Sequence, residues 1–319
     1  MASLVKYSII VPVFNRPHEI DELLQSLTHQ SYGNFEVLII EDGSTETCES
    51  VYERYTQQLQ IRYFFKPNSG PGPSRNFGYQ HARGDYFIVF DSDCIVPPEY
   101  LSVVDKSLQS KPLDAWGGPD RGHKDFTLLQ QAMAFTMSSV ITTGGIRGGS
   151  KANESFQPRS FNMGISQEVY SKTDGFKFDR FAEDIEFSIR IKKAGFRIGL
   201  IPEAYVFHKR RTSLQQFYRQ VFNFGRGRVL VGRAHSDAIR ITHWFPAFFV
   251  LGLFFMLPML LFWPPIGLLL GGGYVIYAIV LAIFAFRTTQ SLRVTLLAIP
   301  SAFVQLIGYG FGFLKQIVS

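Results

Sequence analysis

The carboxyl-terminal part of the sequence contains a long stretch without charge, and this stretch restricts the possible folds most. No Asp, Glu, Lys or Arg occurs from Ile241 to Phe286, and Trp263-Pro264-Pro265 divides the run into two halves. Each half is long enough to cross the hydrocarbon core of a bilayer, which needs about 20 apolar residues. We therefore predict two transmembrane helices. A third charge-free run, 294–314, contains one Pro and three Gly and is a further candidate span.

The basic residues predict how these spans are oriented. The segment 209–240 contains eight Lys and Arg but one acidic residue, and the loop 287–293 carries two Arg, whereas the turn at 263–265 is uncharged. Basic flanks stay cytoplasmic, so we predict a multi-pass protein of the inner (plasma) membrane with its amino-terminal region in the cytoplasm. The first residues run into a strand pattern without a signal peptide. The net charge of +6, concentrated beside the first span, indicates anionic membrane lipids as a partner instead of nucleic acid.

Residues 6 to about 205 alternate between strand and helix patterns. Strands are predicted over 7–13, 35–40, 61–65 and 86–90, and helices over 17–30, 45–58, 74–82 and 98–110. Such alternation is typical of an α/β domain with a mainly parallel sheet and helices on both faces. Ligands of these sheets bind beyond the carboxyl ends of the strands. The sequence thus predicts three parts: a catalytic domain over 1–208, a basic interfacial helical segment over 209–240, and a membrane domain over 241–319.

Two aspartates follow the predicted strand 86–90. Asp91 and Asp93 are two residues apart, so at a strand end their side chains point the same way. Their mutual repulsion is relieved by a cation, and Mg²⁺ or Mn²⁺ prefer such oxygen ligands and bridge to phosphates. A solvated turn is the alternative for an isolated Asp-x-Asp. His208 ends a later short strand and is a candidate third metal ligand, a phosphate contact, or an ordinary interface histidine.

Two further acidic pairs lie at predicted element ends. Glu41 and Asp42 follow the strand 35–40, and Glu183 and Asp184 stand at the start of a predicted helix. A carboxylate near a helix start also stabilises the helix as a cap, so chemistry and capping are both open for the second pair. The Gly-rich stretch 144–151 is either a mobile lid or a linker.

Several motifs together resemble glycosyltransferase family 2. They are Ser8-Ile-Ile-Val-Pro-Val-Phe-Asn-Arg16, Val37-Leu-Ile-Ile-Glu-Asp-Gly-Ser44, Gly70-Pro-Gly-Pro-Ser-Arg-Asn76, Phe90-Asp-Ser-Asp93 and Ala182-Glu-Asp184, within about residues 5–210. The resemblance implies a GT-A type nucleotide-sugar-binding domain, followed here by the C-terminal transmembrane helices, and an inverting transferase that uses a nucleotide sugar and a divalent cation.

The resemblance also implies roles for single residues. Pro12 and Phe14 would border the nucleoside, while Glu41, Asp42 and the segment from Asn68 to Arg75 would contact the base and ribose. Asp91 and Asp93 would hold the diphosphate through the metal, and Asp184 resembles the catalytic base, with Glu183 orienting it or capping the helix.

Two departures from the family pattern are informative. Members that polymerise sugars while exporting the chain carry Gln-x-x-Arg-Trp before a span, whereas Gln216-Phe-Tyr-Arg219 is followed here by Gln220. In addition, the usual aspartate pair at the second strand is Glu41-Asp42. We therefore expect transfer of one sugar at a time, from a donor that is preferably a UDP-sugar, to a lipid-linked or glycan acceptor at the cytoplasmic face of the membrane.

Three alternatives remain from the sequence. One is a processive polysaccharide synthase, and another is a non-catalytic membrane scaffold of a glycan assembly complex. A scaffold would not need Asp91, Asp93 and Asp184 together. A nucleotidyltransferase is the third, but it would usually carry a Gly-rich basic loop after the first strand, where this chain has Phe14-Asn-Arg-Pro17.

Overall fold

The computed structural model describes residues 6–121, 126–144, 156–208 and 211–319. The chain divides into two compact units. Within the described residues, the first unit comprises 6–121 and 156–208, and the second comprises 126–144 and 211–319. The boundaries predicted from sequence assign 126–144 to the catalytic domain, whereas these residues cluster with the carboxyl-terminal helices. Except for Gly144, the Gly-rich stretch 144–151 lies outside the described residues.

The regular elements follow one another in a strand–helix alternation. The strands are β1 (Tyr7–Val13), β2 (Phe35–Asp42), β3 (Ile61–Lys66), β4 (Tyr86–Phe90), β5 (Cys94–Ile95), β6 (Ala115–Gly117), β7 (Asp120–Arg121), β8 (Asn162–Ser166), β9 (Ile198–Leu200) and β10 (Val206–His208). The helices are α1 (Pro17–Thr28), α2 (Glu49–Glu53), α3 (Pro71–His81), α4 (Tyr100–Ser110), α5 (Leu128–Ser138), α6 (Val140–Thr143), α7 (Gln167–Thr173), α8 (Glu183–Lys193), α9 (Leu214–Ala234), α10 (Phe245–Phe262), α11 (Pro264–Thr289) and α12 (Leu292–Val318).

The first unit is built on a seven-stranded sheet with the order β3-β2-β1-β4-β8-β6-β9. The strands β3, β2, β1 and β4 are parallel, and β8 alone runs opposite to its two neighbours, β4 and β6. The α/β fold with a mainly parallel sheet, predicted from the alternation, is confirmed. A second sheet of three strands, β5-β10-β7, joins residues that are far apart in sequence.

Both faces of the large sheet are buried, as a parallel sheet requires. Along β1, Ile9 and Val11 belong to one apolar cluster and Ile10 to the other, because successive strand residues point to opposite faces. The helix predicted over 17–30 packs on the sheet through one apolar face, with Ile20, Leu23, Leu24 and Leu27 all buried.

Several predicted element boundaries differ from the structure, and one of these differences affects the site. The helix expected over 45–58 is only Glu49–Glu53. The second strand extends beyond Ile40 through Asp42, with all eight residues buried. The pairing of Glu41 with Phe65 and of Asp42 with Lys66 continues the parallel ladder to this point. Glu41 and Asp42 are therefore the last residues of a buried strand and do not follow it.

The second unit consists of helices. Three of its apolar helices, Ile241–Phe262, Pro264–Thr289 and Leu292–Val318, are long and apolar enough to cross a membrane. The helix α9 is the basic segment, and the apolar side chains Phe217, Val221 and Val229 on it are buried.

Glycines let α9 approach α12 closely. A Cβ atom at Gly312 would lie 1.9 Å from the carbonyl oxygen of Phe222, and one at Gly225 would lie 2.1 Å from that of Tyr309. Small residues at such crossings allow backbones to approach, which is typical of helix packing in membranes.

Candidate active site

Asp93 lies at the carboxyl end of β4, between two basic groups. It is 6% exposed. Its Oδ2 accepts a hydrogen bond of 2.7 Å from Arg16 Nη1, and its Oδ1 lies 3.1 Å from His208 Nε2. Burial by itself would raise the pKa of this carboxyl, but His208 and Arg16 hold it well below its usual range. Asp93 is therefore an ionised carboxylate in a buried setting.

The second sheet brings His208 to this position. In the antiparallel pair of β10 and β5, His208 stands opposite Cys94, the residue after Asp93. Oxygen, sulfur and nitrogen atoms of Asp93, Cys94 and His208 lie within 4.8 Å of one another. The Cys94 thiol is buried and donates to the carbonyl of Phe161 at 3.5 Å, and burial raises its pKa well above the usual value. A sulfur ligand suits Mg²⁺ or Mn²⁺ poorly, so the oxygen of Asp93 and the nitrogen of His208 are the more suitable ligands of the three.

The separation of this pair agrees with the direct ion pair and also with the spacing of two ligands of one divalent cation. Two ligands at right angles in an octahedral shell with bonds of about 2.1 Å stand about 3 Å apart. The distance from Asp93 Oδ1 to His208 Nε2 is 3.1 Å. A carboxylate with an imidazole favours Mn²⁺ over the harder Mg²⁺. Asp91 is not part of this cluster of ligand atoms in the described part of the chain.

Asp91 belongs instead to a network around Arg75. Arg75 lies on α3 and is 2% exposed. Its Nη2 donates to Asp91 Oδ1 and its Nη1 to Glu183 Oε1, both at 2.8 Å. The guanidinium also lies over the ring of Phe176, 5.3 Å from the centroid. The Asp91 side chain keeps 32% exposure, so one buried cation fixes an accessible carboxylate to the start of α8.

Asp184 stands next to Glu183 in the first turn of α8. Its Oδ1 accepts from the amide of Ile185 at 2.8 Å, and its Oδ2 lies 3.6 Å from Arg159 Nη1. Ala182, two residues before Asp184, has φ = +56°, an uncommon left-handed conformation for a residue with a Cβ. The tight turn and these contacts hold the Asp184 carboxylate in a defined orientation.

Glu183 is 7% exposed, deeper than its neighbour. Burial raises the pKa of Glu183 to about 7, although the guanidinium of Arg75 opposes this shift. The two adjacent carboxyls at the start of α8 therefore differ in environment, with Glu183 buried beside Arg75 and Asp184 less buried beside Arg159.

The carboxylates of Glu41 and Asp42 bind other groups of the protein. The Glu41 carboxylate is fully buried and binds the hydroxyl of Ser44 and the amide of Cys48. Asp42 binds Lys66 and accepts from the amides of Ser69 and Gly70, both at 2.9 Å. Burial alone would raise the pKa of Asp42, but these partners lower it. Both side chains hold the loops that surround the strand ends.

The remaining predicted nucleoside contacts are nearer the surface. Phe14 is 49% exposed directly after β1, and Pro12 is half-buried within that strand. Asn68 is exposed, donates to the carbonyl of Asp42 at 2.7 Å and accepts from Arg180 Nη2. The loops after β1, β2, β3 and β4 thus carry these residues at the carboxyl ends of neighbouring parallel strands.

Sequence reasoning did not identify Arg16 as a site residue. The sequence contained an indication of this position, because Arg16 follows β1 and so lies at the same edge of the sheet as Asp93. No local pattern indicated the bridge between Arg75 and Glu183, since these residues are separated by more than a hundred positions.

The comparison with known proteins identifies the family. The family model "Glycosyl transferase family 2" matches residues 8–172, more than half of the chain. This chain belongs to glycosyltransferase family 2. A second family model, "Glycosyl transferase family group 2", matches residues 152–290. The matched residues include β1 to β4 and the Asp91–Asp93 motif.

Relatives with similar sequences carry glycosyltransferase names. A dolichyl N-acetyl-alpha-D-glucosaminyl phosphate 3-beta-D-2,3-diacetamido-2,3-dideoxy-beta-D-glucuronosyltransferase of Methanococcus voltae is 25% identical over 95% of each chain. An uncharacterized glycosyltransferase of Rickettsia felis is 42% identical over 88 residues, 28% of this chain and 15% of that protein. TarS of Staphylococcus aureus, a poly(ribitol-phosphate) beta-N-acetylglucosaminyltransferase, is 32% identical over 40% of this chain and 21% of its own length. The match thus spans only a small part of these last two relatives.

Solved structures show the same fold. The mannosyltransferase PcManGT from Pyrobaculum calidifontis, in complex with GDP-Man and Mn²⁺, has a TM-score of 0.65 at 17% identity, covering 94% of this chain and 87% of its own. Staphylococcus aureus TarS 1-349 in complex with UDP-GlcNAc has a TM-score of 0.52 at 19% identity, covering 94% and 90%. The GT-A type fold predicted from the motifs is confirmed.

Proposed function

We propose that this chain is an inverting glycosyltransferase. It transfers a sugar from a nucleotide sugar, preferably a UDP-sugar, to a lipid-linked or glycan acceptor at the cytoplasmic face of an inner (plasma) membrane. The observation that carries the proposal is the Arg75 bridge, which holds Asp91 at 2.8 Å and Glu183 at 2.8 Å. Through this bridge, Arg75 links Asp91, which we assign to the diphosphate site, to the turn that carries Asp184.

The nucleoside would bind along the ends of β1 and β3. The exposed ring of Phe14 offers a face for base stacking, and Pro12 and Asn68 border the same edge. Glu41, Asp42 and Arg75 are buried and bound by protein groups, so we assign them a supporting role in place of direct contact with base and ribose. A polar group that already has its partners gains little from a ligand.

The diphosphate would bind at Asp91, Asp93 and His208 with a divalent cation, Mg²⁺ or Mn²⁺. When bound, the cation supplies positive charge that stabilises the departing nucleoside diphosphate. Asp93 and His208 provide two ligands, and Arg16 keeps Asp93 ionised and oriented. Asp91, one third exposed and fixed by Arg75, completes the acidic edge.

Asp184 would act as the base. Its carboxylate takes the proton of the acceptor hydroxyl while that oxygen forms the new bond to the anomeric carbon. The bond from this carbon to the diphosphate oxygen breaks, and the pair of electrons leaves with the nucleoside diphosphate. Attack opposite to the leaving group inverts the anomeric centre. Arg159 and the amide of Ile185 orient Asp184, as general-base catalysis requires.

Three observations support a membrane acceptor and single transfers. The apolar helices are compatible with a membrane location, and the Methanococcus voltae relative is named for a dolichyl phosphate-linked acceptor. Gln220 stands where polymerising members carry Trp.

The proposal can be tested with the purified chain in detergent. We would screen UDP- and GDP-sugars with Mn²⁺ or Mg²⁺ and a lipid extract, and measure release of nucleoside diphosphate and the length of the labelled product. We expect metal-dependent release and one added sugar. Release by Asp184→Asn at the wild-type rate would contradict the assigned base, and a ladder of long polymer would contradict single transfer.

A further inference from the structure

The helix α12 has the length and composition of a third span, but its contacts place it differently. The helices α10 and α11 form an antiparallel hairpin. Positions along this hairpin, from its turn to its base, show how far toward the turn a neighbouring residue lies. Near the turn, Gly267 lies against Leu260, and lower down Tyr274 donates to the carbonyl of Phe249 at 2.7 Å. The base of the hairpin is therefore the start of α10 with the end of α11.

The contacts of α12 with the hairpin stay at this base. Later residues of α12 contact earlier residues of the chain around the start of α10. The ring of Phe303 lies 5.4 Å from that of Phe249. Ten residues later, the ring of Phe313 lies 5.0 Å from that of Trp244. A helix advances about 15 Å over ten residues, so an α12 that ran beside α10 toward the turn would bring Phe313 near residue 259. Instead, its partner Trp244 lies five residues before Phe249, immediately before the first residue of α10.

The burial of the hairpin agrees with this path. The buried residues of α10 are Pro246, Ala247, Phe249 and Val250, all in its first turns. From 251 to 273, every residue except Gly267 is at least partly exposed. The half of the hairpin near its turn is thus apolar and exposed, as expected for helices that enter the bilayer without α12 beside them.

The partner of the carboxyl-terminal half of α12 is α9, which is unsuited to the hydrocarbon core. Four arginines lie on α9 between 219 and 233. Arg226 Nε donates to Gln316 Oε1 at 3.0 Å, and Arg233 Nη2 donates to the carbonyl of Gln316 at 2.7 Å. Because arginines at mid-bilayer depth are costly, the end of α12 has to lie at the depth of head groups.

The outward face of α12 fits a position in the membrane plane. The polar side chains Thr295, Ser301, Gln305 and Gln316 of α12 lie on its inner face and are buried against the protein. An apolar stripe at helical spacing faces outward, with Leu292, Leu296 and Phe311 exposed and Ile307 partly exposed. Arg293 and Lys315 are exposed at the two ends. Interfacial helices place such an apolar stripe into the acyl boundary and their cations among the phosphates.

We propose that this protein crosses the membrane twice and that α12 lies along the bilayer surface beside α9. The partner of the apolar stripe is the boundary between head groups and acyl chains, with anionic phosphates at Arg293 and Lys315. This arrangement returns the carboxyl terminus to the side on which α10 begins, whereas three spans would place it on the other side.

Cysteine labelling of the full-length protein in membranes distinguishes the two topologies. Cys48 and Cys94 are both fully buried, so the wild-type chain serves as the unlabelled control. Pro265→Cys marks the hairpin turn, Thr288→Cys marks the base, and Ser319→Cys reports the terminus. With an impermeant maleimide on spheroplasts and inverted vesicles, we expect Ser319→Cys to label from the same side as Thr288→Cys. Labelling together with Pro265→Cys would overturn the proposal.

Depth measurement by spin labels tests the orientation of α12 independently. Nitroxides at Leu296→Cys, Ile307→Cys and Phe311→Cys should show the same collision depth in vesicles that contain anionic lipid. A spanning helix would place Ile307 about 16 Å deeper than Leu296, at 1.5 Å per residue. A difference of that size would refute a helix in the membrane plane.

Discussion

The two units of this chain distribute charge in opposite ways. In the sheet unit, charged groups are inside: Arg75, Asp93 and Glu183 are all less than 9% exposed and are ion-paired. In the helical unit, apolar groups are outside, for example Leu261 at 70% and Leu269 at 76% exposure. This difference agrees with the proposed membrane location of the helical unit. A unit in water can gather costly buried charges at a site, whereas a unit placed in lipid would turn its apolar side chains outward and associate through backbone proximity.

Removing the buried carboxylate of the sheet unit should have the largest effect. Asp93→Asn should lower turnover by about 10³-fold or more, because cation stabilisation of a leaving group contributes several kcal/mol. Turnover would be measured across a Mn²⁺ titration. Asp85→Asn, at the opposite end of β4, is the control and should leave turnover and its Mn²⁺ dependence unchanged. An Asp93→Asn variant that is fully active in EDTA would refute the metal assignment.

Asp184→Asn tests the reactive group of the pair at the start of α8. Transfer should fall by about 10²–10⁴-fold, the usual contribution of a general base, while the donor dissociation constant stays close to wild type. Rates and donor affinity would be measured on the same preparation. Glu183→Gln is the comparison, and a larger loss of transfer there with unchanged folding would transfer the role of base to Glu183.

Arg75→Met breaks the buried bridge and should destabilise the protein by about 3–5 kcal/mol, since it leaves Glu183 buried without its cation. The midpoint of denaturant unfolding measures this. Arg54→Met is the matched control, because its pair with Asp21 is on the surface, with Arg54 57% exposed. Such pairs contribute about 0–1 kcal/mol. Adding Glu183→Gln to Arg75→Met should recover part of the loss, and no recovery would mean that the pair is not the cause.

Backbone proximity in the helical unit predicts a smaller effect. Gly312→Ala places a Cβ 1.9 Å from the carbonyl oxygen of Phe222, so α9 and α12 must separate at a cost of about 1–3 kcal/mol. Gly273→Ala is the control, since no atom lies within 4 Å of its added Cβ. Thermal unfolding in detergent should show a lower midpoint for Gly312→Ala only. Equal midpoints would indicate that the glycine contacts are not limiting for stability.

Local sequence patterns were enough to predict the periodic and chemical features of this protein. Strand and helix patterns predicted the parallel sheet, because buried strands and amphipathic helices have different periods. The charge-free run predicted the hairpin of α10 and α11, and Asp91 and Asp93 marked the acidic edge. These features depend on residues that are close together in the chain.

The meeting of residues that are distant in sequence became visible in the folded structure. His208 reaches Asp93 because β10 pairs with β5 in one register. Arg75 was expected at the ligand, but it is buried between Asp91 and Glu183, while the extension of β2 encloses Glu41. The path of α12 likewise depends on contacts with α9 and α10, since length and hydropathy are the same for a spanning helix and for one that lies on the membrane surface. Pairing and packing depend on partners far away in sequence, which local patterns do not encode.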